Sequence, residues 1–421
     1  FKGLNPEHKE YAVYPGEYAY KYPKAGERNA TVSAWSFDIQ SHRIQRLQVP
    51  VDSDGYMPRI LPTSNPNRII VYTMNRHQDI LNLYGVNPRS TVAQLLLSDH
   101  ISRYVKEEAI EAARIGNNYI LLPSDRDGYM HLYLYNSNGQ LMRKIGNGNF
   151  DITDVYGYDD KTGDVYYQAA ALNPQDRQIY VAHKDGKTER LTKNEGWNSA
   201  IFSSDLRYFV NCWSDYDTPY IYSTCSNSGK VIATNLDNQV LKQKIRDYGW
   251  TKKETFSFTT SEGIQLNGWM IKPANFDPNK KYPVIMFQYS GPGNQQVINS
   301  WDAGSMRQGG AYDQYLAQQG FIVVCVDGRG TGGRGADFEK CTYLHLGNLE
   351  AKDQVETALW LGKQSYVDKD NIGIWGWSYG GFCTLMSMSE GRPVFKAGVA
   401  VALLFSYPAY AAIYTERYMR T

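Results

Sequence analysis

Short alternations of hydrophobic and polar residues fill the first 250 positions, and Gly, Asn and Asp turns separate them. This period of two predicts β-strands. Strand-turn-strand units turn near Ser41, Arg89, Gly139, Gly186 and Gly229. Their spacing of 43 to 50 residues is typical of four-stranded propeller blades, whereas tetratricopeptide and ankyrin repeats are shorter and helical. The pattern predicts a partial β-propeller with about five blades; an irregular β-sandwich with chance spacing is the alternative.

The pattern changes near Trp250. A hairpin-like pair comes first, and continuous hydrophobic runs then alternate with helical segments; the runs are YPVIMFQY, FIVVCVDG and NIGIWGWS. Such runs indicate a parallel sheet that is covered on both faces. We therefore predict a propeller domain over residues 1–250 and an α/β domain over residues 251–421, with about five strands. One segment departs from the first pattern, since EEAIEAARIG predicts a helix that stops at its glycine.

Composition narrows the possible partners. The chain has 421 residues, with 44 Lys and Arg against 43 Asp and Glu, and no block of like charges, which argues against nucleic acid and anionic membranes. Its five cysteines show no CxxC spacing that would indicate zinc or redox chemistry. No hydrophobic run approaches the ~18 residues of a membrane span. The 34 tyrosines suit strands with one solvated face.

A candidate nucleophile follows the last hydrophobic run. Ser378 lies in WGWSYGGF, where Gly376 and Gly380 complete the pattern G-x-S-x-G between a buried strand and a helix. Glycines permit the strained turn that exposes such a serine above the sheet. An oxyanion needs donors, and the backbone N–H of Tyr379 is the first candidate. The phenol of Tyr289, at the end of an earlier strand, is the second; the alternative for Tyr289 is simple packing.

Three other motifs favour structural roles. GRGTGG matches the dinucleotide fingerprint G-x-G-x-x-G, but a polar, irregular segment follows it instead of a helix, so we predict a loop near the active-site rim. His345 precedes Ser378 by 33 residues, which is the wrong order for the base of an α/β-hydrolase, and we expect it to cap or pack. Glu107 and Glu108 fit a solvated helix face.

Five separated motifs resemble the dipeptidyl peptidase IV branch of the prolyl oligopeptidase family, over about residues 22–420. They are YPKAGERNATVSAWSFDI, YSGPGNQ, VDGRGTGGRG, GWSYGGF and IYTERYMR. The resemblance implies a partial β-propeller followed by an incomplete α/β-hydrolase domain. It implies that Ser378 is the nucleophile and that Tyr289 and the Tyr379 amide form the oxyanion hole. It also implies that Tyr410 and Tyr414 line a proline pocket.

The stretch from 402 to 412 differs from the family pattern, since Tyr407 stands where the family has a tryptophan, and we include Tyr407 as a candidate pocket residue. The family's paired glutamates lie upstream of YPKAG, and no such pair occurs between Phe1 and Tyr22. The family's triad aspartate and histidine are expected beyond Thr421. Both ends of the chain therefore look cut, and the chain alone is expected to be nearly inert.

The resemblance implies a serine exopeptidase that releases dipeptides with Pro, or less well Ala, in the second position through an acyl-enzyme. It implies peptide substrates, no cofactor or metal, a homodimer, and an extracytoplasmic location: periplasmic, secreted or at the cell surface. Two alternatives stay open. One is a prolyl tripeptidyl or acylaminoacyl peptidase of the same fold, and the other is a non-catalytic propeller-based binding protein with a vestigial hydrolase domain.

Overall fold

The computed structural model describes residues 2–5, 16–19, 21–305 and 310–420. Its first part consists of antiparallel sheets. Two are two-stranded: β1 (Lys2–Asn5) with β2 (Gly16–Ala19), and β3 (Trp35–Phe37) with β4 (Ile44–Arg46). The other sheets are four-stranded. The first contains β5 (Tyr56–Pro62), β6 (Ile69–Met74), β7 (Ile80–Val86) and β8 (Ala93–His100), and the second contains β9 (Arg114–Ile115), β10 (Tyr119–Ser124), β11 (His131–Asn136) and β12 (Leu141–Ile145). The third contains β13 (Ile152–Asp159), β14 (Asp164–Ala169), β15 (Gln178–Ala182) and β16 (Thr188–Arg190), and the fourth contains β17 (Trp197–Phe202), β18 (Tyr208–Ser214), β19 (Ile221–Ser226) and β20 (Val231–Leu236).

Each predicted turn lies between the last two strands of a sheet. Ser41 separates β3 from β4, and Arg89, Gly139, Gly186 and Gly229 each separate the third strand from the fourth. One sheet therefore corresponds to one sequence repeat, as a propeller requires. The prediction of about five blades is confirmed, with β3 and β4 as the described strands of the first.

Hydrophobic residues of the inner strands pack between neighbouring sheets. Tyr72 of β6 and Leu83 of β7 share one core with Ile120 of β10 and Tyr133 of β11. Burial of each such side chain contributes about 1.5–3 kcal/mol. The core of this region is therefore a series of contacts between successive blades.

The helix predicted in EEAIEAARIG is present as α1 (Glu107–Ala112), but its predicted stop is wrong. Arg114 pairs with Leu121 as part of β9, so pairing within the blade removes this segment from the helix. Gly116 instead closes the turn into β10, where its N–H donates to the Tyr119 carbonyl at 3.0 Å.

The second part is a six-stranded sheet, one strand more than expected. Its order is β21-β22-β24-β23-β25-β26. The strands are β21 (Lys253–Thr259), β22 (Gln265–Ile271), β23 (Tyr282–Phe287), β24 (Ile322–Asp327), β25 (Val367–Trp377) and β26 (Ala397–Val401). β24, β23, β25 and β26 are parallel, and the hairpin of β21 and β22 pairs antiparallel to β24.

Helices cover both faces of this sheet, as the hydrophobic runs predict. Val324 of β24 packs in a core with Leu361, whereas its neighbour Cys325 faces the opposite core with Ala317. The helices after α1 are α2 (Gln239–Asp247), α3 (Ala311–Gln318), α4 (Ala336–Glu339), α5 (Asn348–Leu361), α6 (Tyr379–Met388) and α7 (Ala412–Met419), with 3₁₀ turns at Lys340–Thr342 and Tyr407–Ala409. Every helix of the described ranges is too short or too polar to cross a membrane. The predicted division at 250/251 lies between α2 and β21.

Candidate active site

Ser378 occupies a strained turn between β25 and α6. Its backbone angles are φ 57° and ψ −115°, a left-handed conformation that non-glycine residues rarely adopt. Two backbone hydrogen bonds hold it: the Ser378 N–H donates to the Val401 carbonyl at 2.9 Å, and the Phe382 N–H donates to the Ser378 carbonyl at 3.1 Å. Strain of this kind persists only where the surroundings fix it, and it is common at catalytic nucleophiles.

The glycines of the motif leave no room for a side chain. A Cβ at Gly376 would lie 2.5 Å from the Gln288 carbonyl oxygen and equally close to the carbonyl group of Gly380. A Cβ at Gly380 would also lie 2.5 Å from the Gln288 oxygen. Because backbone atoms meet here, the turn after β25 closes against β23 only with glycine at both positions.

The two candidate oxyanion donors lie beside Ser378. Tyr289 follows β23, the neighbour of β25. Burial raises the pKa of the Tyr289 phenol, and nearby Tyr410 raises it further. A hydrogen bond with the Ser378 side chain lowers it. Tyr379 is the first residue of α6, and the first N–H groups of a helix have no partner within the helix. The structure therefore brings the Tyr289 phenol and the start of α6 to the same serine.

The candidate pocket tyrosines form a cluster next to this site. The rings of Tyr410 and Tyr414 meet edge to face at 5.4 Å. Burial raises the pKa of Tyr414, and the surrounding phenols, including Tyr289, raise it further. Tyr410 keeps 42% of its surface exposed, so one ring of the pair is open to a ligand. Tyr407 lies deeper, because its ring packs edge to face on Phe382 at 5.3 Å.

Sequence reasoning missed Glu350, which supports the start of α6. Its side chain is fully buried, and Oε1 accepts a hydrogen bond of 2.8 Å from the Tyr379 hydroxyl. Oε2 accepts the Gly347 N–H at 2.9 Å. Burial raises the pKa of Glu350 to about 7, although these hydrogen bonds act against the rise. A glutamate three residues after Gly347 is a signal for a helix start, but the sequence gives no sign of the contact with Tyr379.

The remaining candidates lie at the edge of the site or away from it. His345 is exposed in the turn before α5, so of the two roles expected for it packing is wrong, and capping stays a prediction. Glu107 and Glu108 are exposed as predicted, and Glu107 Oε2 also accepts a hydrogen bond of 3.0 Å from Arg417 Nη1 of α7. This contact shows that α1 reaches the hydrolase-like part of the chain.

The glycine-rich loop after β24 packs against the loop that follows Tyr289. The Gly293 N–H donates to the Gly330 carbonyl at 2.9 Å, and a Cβ at Gly332 would lie 2.4 Å from the Gly293 oxygen. The next helix, α4, starts only at Ala336 and has four residues. The loop therefore lacks the helix that a dinucleotide site requires.

The strained turn between β25 and α6 that carries Ser378 is a serine elbow. A propeller joined to an α/β sheet with such an elbow defines a class of proteins, the serine peptidases of the prolyl oligopeptidase type. Two family profiles agree with it. The dipeptidyl peptidase IV (DPP IV) N-terminal region matches residues 4–220, and the prolyl oligopeptidase family matches residues 310–421. The chain belongs to the dipeptidyl peptidase IV branch of the prolyl oligopeptidase family.

Individual relatives are similar over nearly the whole chain. Dipeptidyl peptidase 4 of Trichophyton equinum and that of Trichophyton rubrum are each 30% identical over 97% of this chain and 54% of their own length. The crystal structure of Porphyromonas gingivalis dipeptidyl peptidase 4 is 40% identical, with a TM-score of 0.92 over 100% of this chain and 59% of that chain. The chain therefore spans about half the length of the curated relatives it matches.

Proposed function

We propose that the full-length protein that contains this chain is a serine exopeptidase, which releases N-terminal dipeptides with Pro, or less well Ala, in the second position. The observation that carries this proposal is the strained Ser378, with Tyr289 beside it and the Tyr410–Tyr414 pair next to Tyr289. The names of the relatives support the same activity.

In the proposed reaction, Ser378 Oγ attacks the carbonyl carbon after the second residue, and its proton passes to a base. We propose that this base is the triad histidine of the family. The Tyr289 hydroxyl and the Tyr379 N–H donate to the negatively charged carbonyl oxygen. The amine leaves with the proton, an ester remains on Ser378, and water releases the dipeptide. Flat rings at Tyr410 and Tyr414 suit a proline ring, because they supply rigid contact area at low entropy cost.

Chromogenic Gly-Pro, Ala-Ala-Pro and acetyl-Ala substrates, offered to the full-length protein, test the proposal. We expect cleavage of Gly-Pro, labelling of Ser378 by a fluorophosphonate, and loss of both in Ser378→Ala. Cleavage of Ala-Ala-Pro or acetyl-Ala alone would assign a tripeptidyl or acylaminoacyl peptidase instead. A full-length protein without labelling would be the non-catalytic binding protein.

We also propose that the full-length protein is a homodimer with an extracytoplasmic location. The support is the family resemblance of the motifs around Ser378, together with the family profiles. Light scattering after size exclusion tests the first point, with twice the chain mass as the expected result. Fractionation of the source cells tests the second, and recovery with cytosolic markers would overturn it.

A further inference from the structure

Helix α7, called the pocket helix because it carries Tyr414, contacts the propeller through Glu416. Glu416 of α7 has a side chain that is 1% exposed. Arg76, in the loop after β6, donates from Nε to Glu416 Oε2 and from Nη2 to Glu416 Oε1, both at 2.6 Å. The Gly26 N–H donates to Oε1 at 2.8 Å. A two-pronged bond between guanidinium and carboxylate fixes orientation as well as distance.

The segment around Gly26 also contacts the start of the helix. The Ala25 N–H donates to the Tyr410 carbonyl at 3.1 Å, and the Ala412 N–H donates to the Pro23 carbonyl at 3.0 Å. Ala412 is the first residue of α7, so Pro23 satisfies one of the N–H groups that a helix start leaves unpaired. Residues 23–26 and Arg76 therefore hold both the backbone at Tyr410 and the far turn of α7.

We propose that Arg76 is a positioning residue for the substrate pocket, which it holds in place by clamping Glu416 and with it the helix that carries Tyr414. The inference rests on the proposed function, in which Tyr410 and Tyr414 line that pocket. Arg76 contacts no substrate in this scheme. It belongs to the propeller, so the propeller sets the geometry of a pocket whose tyrosines come from the second part of the chain.

The buried charge of Glu416 and the short length of α7 both make the clamp from Arg76 important. Burial raises the pKa of Glu416, but the hydrogen bonds from Arg76 and Gly26 outweigh burial and leave the pKa below its ordinary value. The carboxylate therefore stays charged, and without Arg76 it would be a buried charge with one backbone donor. An isolated helix of only eight residues is not stable on its own. Loss of the clamp should therefore shift or loosen α7.

The test uses the full-length protein with Arg76→Met, which keeps much of the side-chain length and removes the charge. Arg103→Met is the matched control, because Arg103 also joins the propeller to the second part, through a 3.9 Å pair with the fully exposed Asp337. We expect R76M to raise KM for Gly-Pro substrates roughly 10- to 100-fold, since small misplacements in a site have effects of this size. Arg76→Lys keeps the charge without the fork, so its KM should lie between those of R76M and the wild type.

A second readout separates positioning from general damage. The rate of fluorophosphonate labelling depends on Ser378 and its oxyanion donors, so we expect R76M to label as fast as R103M. A KM in R76M equal to that in R103M would overturn the proposal, and so would a parallel loss of labelling and hydrolysis.

Hydrogen exchange of the amides in 412–419 tests the clamp without substrate. Faster exchange in R76M than in R103M supports it, and equal exchange overturns it. If the wild-type protein cleaves no Gly-Pro substrate, the proposed function fails, while the exchange result still decides whether Arg76 holds α7.

Discussion

The serine elbow and the pocket helix are neighbours in space, but they are held in different ways. Ser378 is fixed by bonds within one sheet and its loops, such as the one from its N–H to Val401. Helix α7 is held in addition by propeller residues 310 to 390 positions away, such as Gln78, whose Nε2 donates to the Ile413 carbonyl, and Gly26. The comparison teaches that the candidate nucleophile and the proposed pocket have different hydrogen-bonded supports, although Tyr379 and Tyr418 share one hydrophobic cluster. Variants of each should therefore have separable effects.

The largest effect should come from Tyr289→Phe, which removes the phenolic donor beside Ser378. We expect kcat of the full-length protein to fall by about 10²–10³, because one oxyanion donor typically contributes that much. KM should change little. Steady-state kinetics on Gly-Pro substrates measures both. Tyr282→Phe, at the opposite end of β23, is the control, and equal kcat values in the two variants would remove Tyr289 from the oxyanion hole.

The elbow itself can be broken by Gly376→Ala, because the new Cβ would lie 2.5 Å from the Gln288 oxygen. We expect Ser378 to move and fluorophosphonate labelling to slow by about 10². Gly373→Ala on the same strand is the matched control, since its Cβ would lie an ordinary 3.6 Å from the nearest atom, the Ala397 oxygen. Labelling at the wild-type rate in G376A would show that the elbow tolerates a side chain.

On the pocket side, Tyr410→Ala removes one ring of the Tyr410–Tyr414 pair. Such a pair contributes about 0.5–1.5 kcal/mol beyond the area buried, so we expect KM for Gly-Pro substrates to rise up to about tenfold. Labelling of Ser378 should not change, which separates this variant from G376A. Tyr248→Ala, whose side chain is 74% exposed, controls for loss of a surface tyrosine. Slower labelling in Y410A would mean that elbow and pocket are one unit.

The smallest effect on activity should come from Glu350→Gln, because its amide oxygen can still accept the Gly347 N–H and its NH2 group can donate to the Tyr379 hydroxyl oxygen. Stability should respond instead. The pKa of Glu350 rises from an ordinary 4.5 to about 7 in the folded chain, so the folded state holds a proton that the unfolded state has lost between these values. The free energy of unfolding must then fall as pH rises through that window and level off above it.

In E350Q this fall should be smaller, by at most about 1.4 kcal/mol for each unit of pKa shift. Urea unfolding of the full-length protein at several pH values between 4.5 and 8 measures it. Asp327, whose pKa burial also raises to about 7, stays in both proteins, so the difference isolates Glu350. Parallel curves for wild type and E350Q would contradict the assignment.

Much of the fold and part of the site follow from short patterns. Turn residues such as Gly139 and Gly229 predict the blades because each turn depends on a few adjacent residues. Ser378 is predictable for the same reason, since strand, glycine turn and helix are consecutive. β26 lies beyond the five strands expected, and it forms by parallel pairing with β25.

Other features depend on how distant elements meet. Glu350 is 29 residues from Tyr379, and Arg76 is 340 residues from Glu416. Neither pair has a spacing that marks it, because the contact exists only once separate helices and loops are packed. The wrong stop of α1 has a similar origin, since pairing with β10 overrides the helical pattern after Ala112.

The bonds between Pro23, Ala25 and the start of α7 also bear on how the protein folds. They join positions nearly 390 residues apart, and closing so large a loop is entropically costly until the intervening structure is in place. Contacts between residues so far apart in the sequence form slowly. The hydrogen bonds of the elbow lie within the second part of the chain, whereas α7 also docks on the assembled propeller edge. During folding, the turn that carries Ser378 should therefore form before the proposed pocket beside it.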